Sequence, residues 1–218
     1  MLIPGGFLSG TVQSWLLVAP AIPLCILLIR RPAFNPLSIS LILLCVVSFL
    51  TSSFSIVIPS ESSGNNSFQQ FSVFIEFIFN ILVLKSCIRD KTHQYLIVTA
   101  GLMFAGIFLS LMAFVQDQTF PFMWIRIGYV LLFVLALSVI INQFQDVSHH
   151  LTGVPAFWIT AGIFFQYGLI SLLLEVNGDN SDKVANDNEL GVLYMIINVI
   201  RFMFFSIGLL LFDRTTKN

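Results

Sequence analysis

The chain has 218 residues, of which 57% are hydrophobic and only 10% are charged, and its formal net charge is −1. A soluble domain carries about 25% charged residues, so in water this chain would have to expose large apolar patches. The composition therefore excludes a water-soluble globular fold and indicates an integral membrane protein, and the lack of excess positive charge argues against nucleic acid as a partner.

Seven apolar runs follow one another along the chain, separated by short polar segments. A helix needs roughly 20 mainly apolar residues to cross the hydrocarbon core of a bilayer. We therefore predict an all-α fold, a polytopic membrane bundle of about seven transmembrane helices that forms a single domain over residues 1–218. The predicted spans are approximately 13–30, 37–58, 70–88, 95–115, 121–141, 155–175 and 190–212.

Prolines and polar tracts mark the expected helix ends. Two polar tracts, SESSGNNS at 60–67 and VNGDNSDKVANDNE at 176–189, are predicted to be loops. Pro20 and Pro23 lie inside the first span and predict a kink there. Four other prolines lie at or just outside predicted helix ends, where the missing N–H costs nothing, namely Pro36, Pro59, Pro121 and Pro155.

The basic residues predict the orientation of the bundle. Lys and Arg accumulate in cytoplasmic loops, and seven of them fall on one side of a seven-span arrangement, against Lys183 alone on the other. We therefore predict a multi-pass protein of the cell inner membrane, with its N-terminus outside and its C-terminus in the cytoplasm. The basic side is expected to contact a cytoplasmic partner or anionic lipid headgroups. Its surface residues are Arg30, Arg31, Lys85, Arg89 and Lys91.

Three ionisable residues fall inside predicted spans: Glu76, Arg126 and Arg201. Such residues are costly in lipid, usually face the interior of the bundle and often mark a functional site. From the rise of about 1.5 Å per residue, Glu76 and Arg126 are expected to lie at similar depth and to meet. Arg201 is expected nearer the middle of the membrane, at the depth of Asn80.

Helical spacing adds further polar side chains to this cluster. Asn80 follows Glu76 by four residues and Asn198 precedes Arg201 by three, so each pair shares one face of its helix. Gln166 and Tyr167 lie near the middle of the sixth span. One interpretation is a salt-bridge network that only fixes helix packing. The other is a site for a small polar or anionic ligand. Two arginines are present for one carboxylate, so one arginine has no carboxylate partner and could bind such a ligand.

No pattern of residues supports catalysis, a metal or a cofactor. The seventh span contains no lysine for a retinal Schiff base, and no HExxH zinc-protease pattern occurs. The three cysteines lie in apolar runs without paired spacing, and His93, His149 and His150 fall in predicted inner loops. We therefore predict a non-enzymatic protein with no catalytic residues, no metal site and no cofactor.

Three stretches together carry a family resemblance: FSVFIEFIFNILVLKSCIRDK, PAFWITAGIFFQYGLISLLLEV and LYMIINVIRFMFFSIGLLL. Their order resembles small, uncharacterised seven-span proteins of Bacteroidetes-type bacteria, which are similar to stand-alone membrane input modules of sensor kinases. The resemblance covers roughly residues 70–212 and implies a sensory or accessory role, without indicating a ligand. The residues that carry it are Glu76, Pro155, Phe157, Trp158, Gly162, Tyr167 and Asn198.

Our preferred hypothesis is a receptor-like or accessory bundle whose intramembrane polar cluster signals to a cytoplasmic partner. One alternative is a structural subunit of a larger membrane complex, because 23 phenylalanines offer abundant apolar surface for helix packing. A second alternative is a small transporter.

Overall fold

The computed structural model describes residues 10–30, 35–57, 63–114, 119–146, 153–178 and 187–215. Within these ranges the chain forms seven helices and no strand, in agreement with the predicted all-α class. The helices are α1 (Gly10–Arg30), α2 (Pro36–Val57), α3 (Ser63–Ser86), α4 (Lys91–Phe114), α5 (Thr119–Asp146), α6 (Pro155–Gly178) and α7 (Asp187–Thr215).

Several helices extend beyond the apolar runs that predicted them. α3 begins at Ser63, so the last five residues of the tract SESSGNNS are helical and not a loop. α4 begins at Lys91, which places His93 in its first turn and not in a loop. A helix satisfies its backbone hydrogen bonds internally. It can therefore continue through polar residues beyond the end of the apolar segment. Pro59, Lys183, His149 and His150 lie outside the described residues.

Two helix starts have clear physical causes. Asn35 caps α2, because its Oδ1 accepts the backbone N–H of Ser38 at 2.8 Å while its own N–H donates to Ser38 Oγ at 3.1 Å. Pro36 follows as the first helical residue, where its fixed φ fits the helix. Pro155 has the same position in α6. In α1, the helix continues through Pro20 and Pro23 without a break.

The helices pack side by side into a closed arrangement. α1, α2, α3, α5, α6 and α7 each contact the next in that order, and α7 returns to contact α1. α4 packs beside this ring against α3 and α5. The ring therefore has an interior bounded by six helices, and the fully buried side chains Leu41, Leu84, Leu132, Ile163 and Phe205 belong to five of them.

Five of the seven described helices are long and apolar enough to cross a membrane. They supply the segments Pro36–Phe54, Lys91–Met112, Met123–Gln145, Pro155–Glu175 and Val192–Phe212, and α1 adds a shorter apolar segment, Leu17–Ile29. Large apolar side chains are exposed on the outer faces of these helices, such as Leu102 and Met103 on α4 and Leu172 on α6. A surface of this kind suits contact with lipid, as expected for a multi-pass membrane protein.

We expect Asn35→Ala to destabilise the protein by about 0.5–2 kcal/mol, because the first turn of α2 loses the side-chain acceptor that caps it. Asn35→Asp keeps an oxygen at this position and should retain most of the stability. Unfolding titrations in mixed micelles would measure both variants. An alanine variant as stable as the wild-type protein would contradict the assigned cap.

Candidate functional site

A buried ion pair crosses the interior of the ring from α3 to α7. Arg201 Nη1 donates to Glu76 Oε1 at 2.6 Å. The side chain of Arg201 is only 1% exposed, whereas that of Glu76 is 19% exposed. Taking two charges out of water is expensive unless they are paired and hydrogen-bonded, so the partners of this pair determine whether it is stable.

Arg201 has hydrogen-bond partners on three other helices. Its Nη1 also donates to Gln166 Oε1 of α6 at 2.7 Å, and its Nη2 donates to Ser48 Oγ of α2 at 3.1 Å. Its guanidinium lies over the ring of Phe202, 4.4 Å from the centroid, which favours the cation further. One side chain therefore connects α2, α3 and α6 to α7.

Amides extend the network on both sides of the ion pair. Asn80 Nδ2 donates to the backbone oxygen of Glu76 at 2.7 Å and to Tyr167 Oη at 2.9 Å. Gln166 Nε2 donates to Asn198 Oδ1 at 3.3 Å. The result is a continuous polar network in which each amide orients the next group.

The structure brings together six of the seven side chains of the predicted polar cluster but places Arg126 elsewhere. Arg126 is exposed on α5, and Glu76 pairs with Arg201 instead of meeting Arg126. Helical phase explains the difference, because the buried face of α5 passes through Ile125, Gly128 and Leu132. A step of about 100° per residue turns Arg126 away from that face.

Sequence reasoning missed Ser48, whose hydroxyl forms hydrogen bonds with both members of the ion pair. Its hydroxyl accepts from Arg201 and donates to Glu76 Oε1 at 3.3 Å. A signal for it was present in the sequence, since Ser48 continues the stripe of Leu41, Leu44 and Cys45 at helical spacing. These three residues are fully buried.

A small cavity is lined in part by Glu76. Its volume is about 20 Å³, which is room for about one water molecule. Its walls come from five helices and are rich in aromatic rings. The aromatic residues among them are Phe74, Phe77, Phe104, Phe108, Tyr129, Tyr167 and Tyr194, and Glu76 is the only charged residue of the described chain that lines it.

The predicted basic surface is exposed where the structure describes it. Lys85 at the end of α3, Arg89 in the turn and Lys91 at the start of α4 all face outward. Arg31 and the side chain of Arg30 lie outside the described residues. The exposed part of this surface is therefore a compact basic patch at the α3–α4 turn.

One acidic residue lies within this patch. Asp90 accepts a hydrogen bond from His93 and one from the backbone N–H of Thr92, and these bonds hold the pKa of its carboxyl below the usual range. Asp90 also caps the start of α4 through the same contacts. Its carboxylate is therefore engaged by α4 beside the basic side chains.

No family model matches this chain, and no curated protein or solved structure matches it either. The functional argument therefore depends on the geometry of the site.

Proposed function

We propose that this chain is a non-enzymatic, receptor-like protein of the cell inner membrane. In this proposal all seven helices span the bilayer, with the N-terminus outside and the C-terminus in the cytoplasm. The ion pair supports a membrane location for α3, because Glu76 must lie at the depth of Arg201, within the apolar segment Val192–Phe212 of α7. The orientation is supported by the basic patch at the α3–α4 turn.

The observation that carries the proposal is Arg201, a buried cation whose hydrogen bonds connect four helices beside a cavity. A ligand that changed the contact between Glu76 and Arg201 would alter how α3 packs against α7. Shifts of about 1–2 Å between packed helices are a common way to transmit such a change. Because Lys85 lies in the last turn of α3, movement of this helix would displace the basic patch. A cytoplasmic partner bound to the patch would respond to that displacement.

We expect Glu76→Gln to produce a second arrangement of α3 relative to α7, since the glutamine keeps an oxygen for Arg201 but removes the charge. Spin labels on Lys85→Cys and Ile207→Cys would report the distance by electron paramagnetic resonance in lipid nanodiscs. Both positions are exposed. The background would carry Cys25→Ser, Cys45→Ala and Cys87→Ala.

Arg126→Gln is the matched control, because it removes an arginine outside the network and should leave the distance distribution of the parent protein. A folded Glu76→Gln variant with an unchanged distribution would contradict the proposed coupling. A stable stoichiometric complex with another membrane protein in mild detergent would instead indicate a structural subunit. Solute flux in proteoliposomes would indicate a transporter.

A further inference from the structure

The charged residue that lines the cavity is acidic, although an arginine is present in the interior. Glu76 lines the cavity, whereas Arg201 is 1% exposed and does not line it. The expectation of an anionic ligand depended on two interior arginines. With Arg126 exposed on α5, the interior pairs one arginine with one carboxylate, and the argument for an anion no longer holds.

The carboxylate of Glu76 retains an oxygen for a ligand. Both described hydrogen bonds to this carboxylate, from Arg201 and from Ser48, are accepted by Oε1. A carboxylate has two oxygens and about four acceptor positions. A hydrogen-bond donor in the cavity can therefore bind the second oxygen while the ion pair stays intact.

The cavity walls contribute aromatic rings, which can bind a cation together with the carboxylate. Half of its fourteen lining residues carry aromatic rings, and the face of an aromatic ring attracts a cation within about 6 Å. Tyr129 and Tyr167 pack against each other here, with their ring centroids 5.4 Å apart. Aromatic rings attract cationic groups, and the carboxylate of Glu76 adds a hydrogen-bond acceptor.

We propose that this cavity binds an ammonium group, held by the second oxygen of Glu76 and by the aromatic rings of Tyr129 and Tyr167 that line it. The inference rests on the proposed receptor-like function and names the chemical class of its ligand. The volume of about 20 Å³ restricts the bound group to roughly the size of a water molecule. Ammonium should therefore bind more tightly than methylammonium, and tetramethylammonium should not bind in this state.

The test is the thermal stability of the purified protein in phosphatidylcholine nanodiscs, titrated with each of these chlorides against sodium and potassium chloride at equal ionic strength. A ligand that binds only the folded state raises the melting temperature with concentration. We expect a saturable rise with ammonium, a smaller one with methylammonium and none beyond the salt effect with tetramethylammonium. Equal effects of ammonium, sodium and potassium would overturn the proposal.

Tyr129→Leu should weaken ammonium binding by about 3–30-fold, because it removes one ring face but keeps Glu76 and its ion pair. Tyr95→Leu is the matched control, since Tyr95 is exposed on α4, and it should bind as the wild type does. Equal affinities of these two variants would overturn the assigned site. So would stabilisation by sodium acetate that is lost in Arg201→Met, since that result would identify an anion site.

A second titration, in nanodiscs of another lipid composition, identifies the source of the ammonium group. If phosphatidylethanolamine in the nanodiscs abolishes the effect of added ammonium, then the amine of a lipid headgroup occupies the cavity, and if it does not, then ammonium from solution is the occupant. The titrations need no helix movement and the spin-label experiment needs no ligand. Failure of ammonium binding with an intact distance change would therefore refute the ligand class alone, and the reverse result would refute the receptor-like function.

Discussion

Replacing Arg201 by methionine is expected to lower the free energy of unfolding by about 3–5 kcal/mol, the largest effect of any single substitution proposed for this protein. Methionine fills a similar length, but it leaves the carboxylate of Glu76 without its cation. It also removes the donor to Gln166 Oε1 and the donor to Ser48 Oγ. The dominant cost is the charge left uncompensated in a low-dielectric interior.

Unfolding in mixed micelles would measure this effect, with Arg126→Met as the matched control. Arg126 is exposed on α5 outside the network, so its replacement by an apolar residue should not lower the free energy of unfolding. If the two variants lost a similar free energy of unfolding, the effect of Arg201→Met would not come from the burial of Arg201 and its hydrogen-bond partners.

Gly162→Leu is expected to destabilise the contact between α6 and α7 by about 1–3 kcal/mol. A Cβ atom at Gly162 would lie 3.1 Å from the backbone oxygen of Arg201 and 3.0 Å from Phe204 Cβ. The backbone oxygen cannot rotate away, so a leucine side chain must push the two helices apart beside the ion pair.

The matched control is Gly106→Leu on α4. A Cβ at Gly106 meets nothing within 4 Å, and the residue is exposed. We expect this variant to unfold within about 0.5 kcal/mol of the wild type. If both leucine variants lost the same stability, the close approach at Gly162 would not be the cause.

The helices were predictable from the sequence because a bilayer requires long apolar runs with polar interruptions. Pro36 and Pro155 begin helices as expected. The expectation of a loop through all of SESSGNNS was wrong, since α3 begins at Ser63 and the helix runs through the polar residues that follow. Hydropathy detects the apolar part of a helix and not the helix itself, and seven spans with the stated orientation stay a prediction.

The interior polar cluster was predictable in part. The spacing of Glu76 with Asn80 and of Asn198 with Arg201 placed each pair on one helix face, and the structure joins these faces through hydrogen bonds. The pairing across the bundle was not predictable. In lipid both faces of a helix are apolar, so hydrophobicity did not distinguish the exposed side of α5, where Arg126 lies, from its buried side.

The aromatic cavity could not be predicted because it depends on side chains from five helices that are distant in sequence. Spacing within one helix predicts which residues share a face, but it does not predict which faces meet. The contact between Tyr129 of α5 and Tyr167 of α6 is such a case. The role of these residues in binding stays a proposal that the ammonium titrations test.

The central claim is that Glu76 and Arg201 form a direct pair in the interior of a membrane bundle. A double-mutant cycle with Glu76→Gln, Arg201→Met and the combined variant measures the energy of that contact most directly. The pair at 2.6 Å predicts a coupling energy of about 2–3 kcal/mol, with the combined variant much more stable than the sum of the single losses implies. A coupling energy below about 0.5 kcal/mol, the value for independent sites, would contradict the claim.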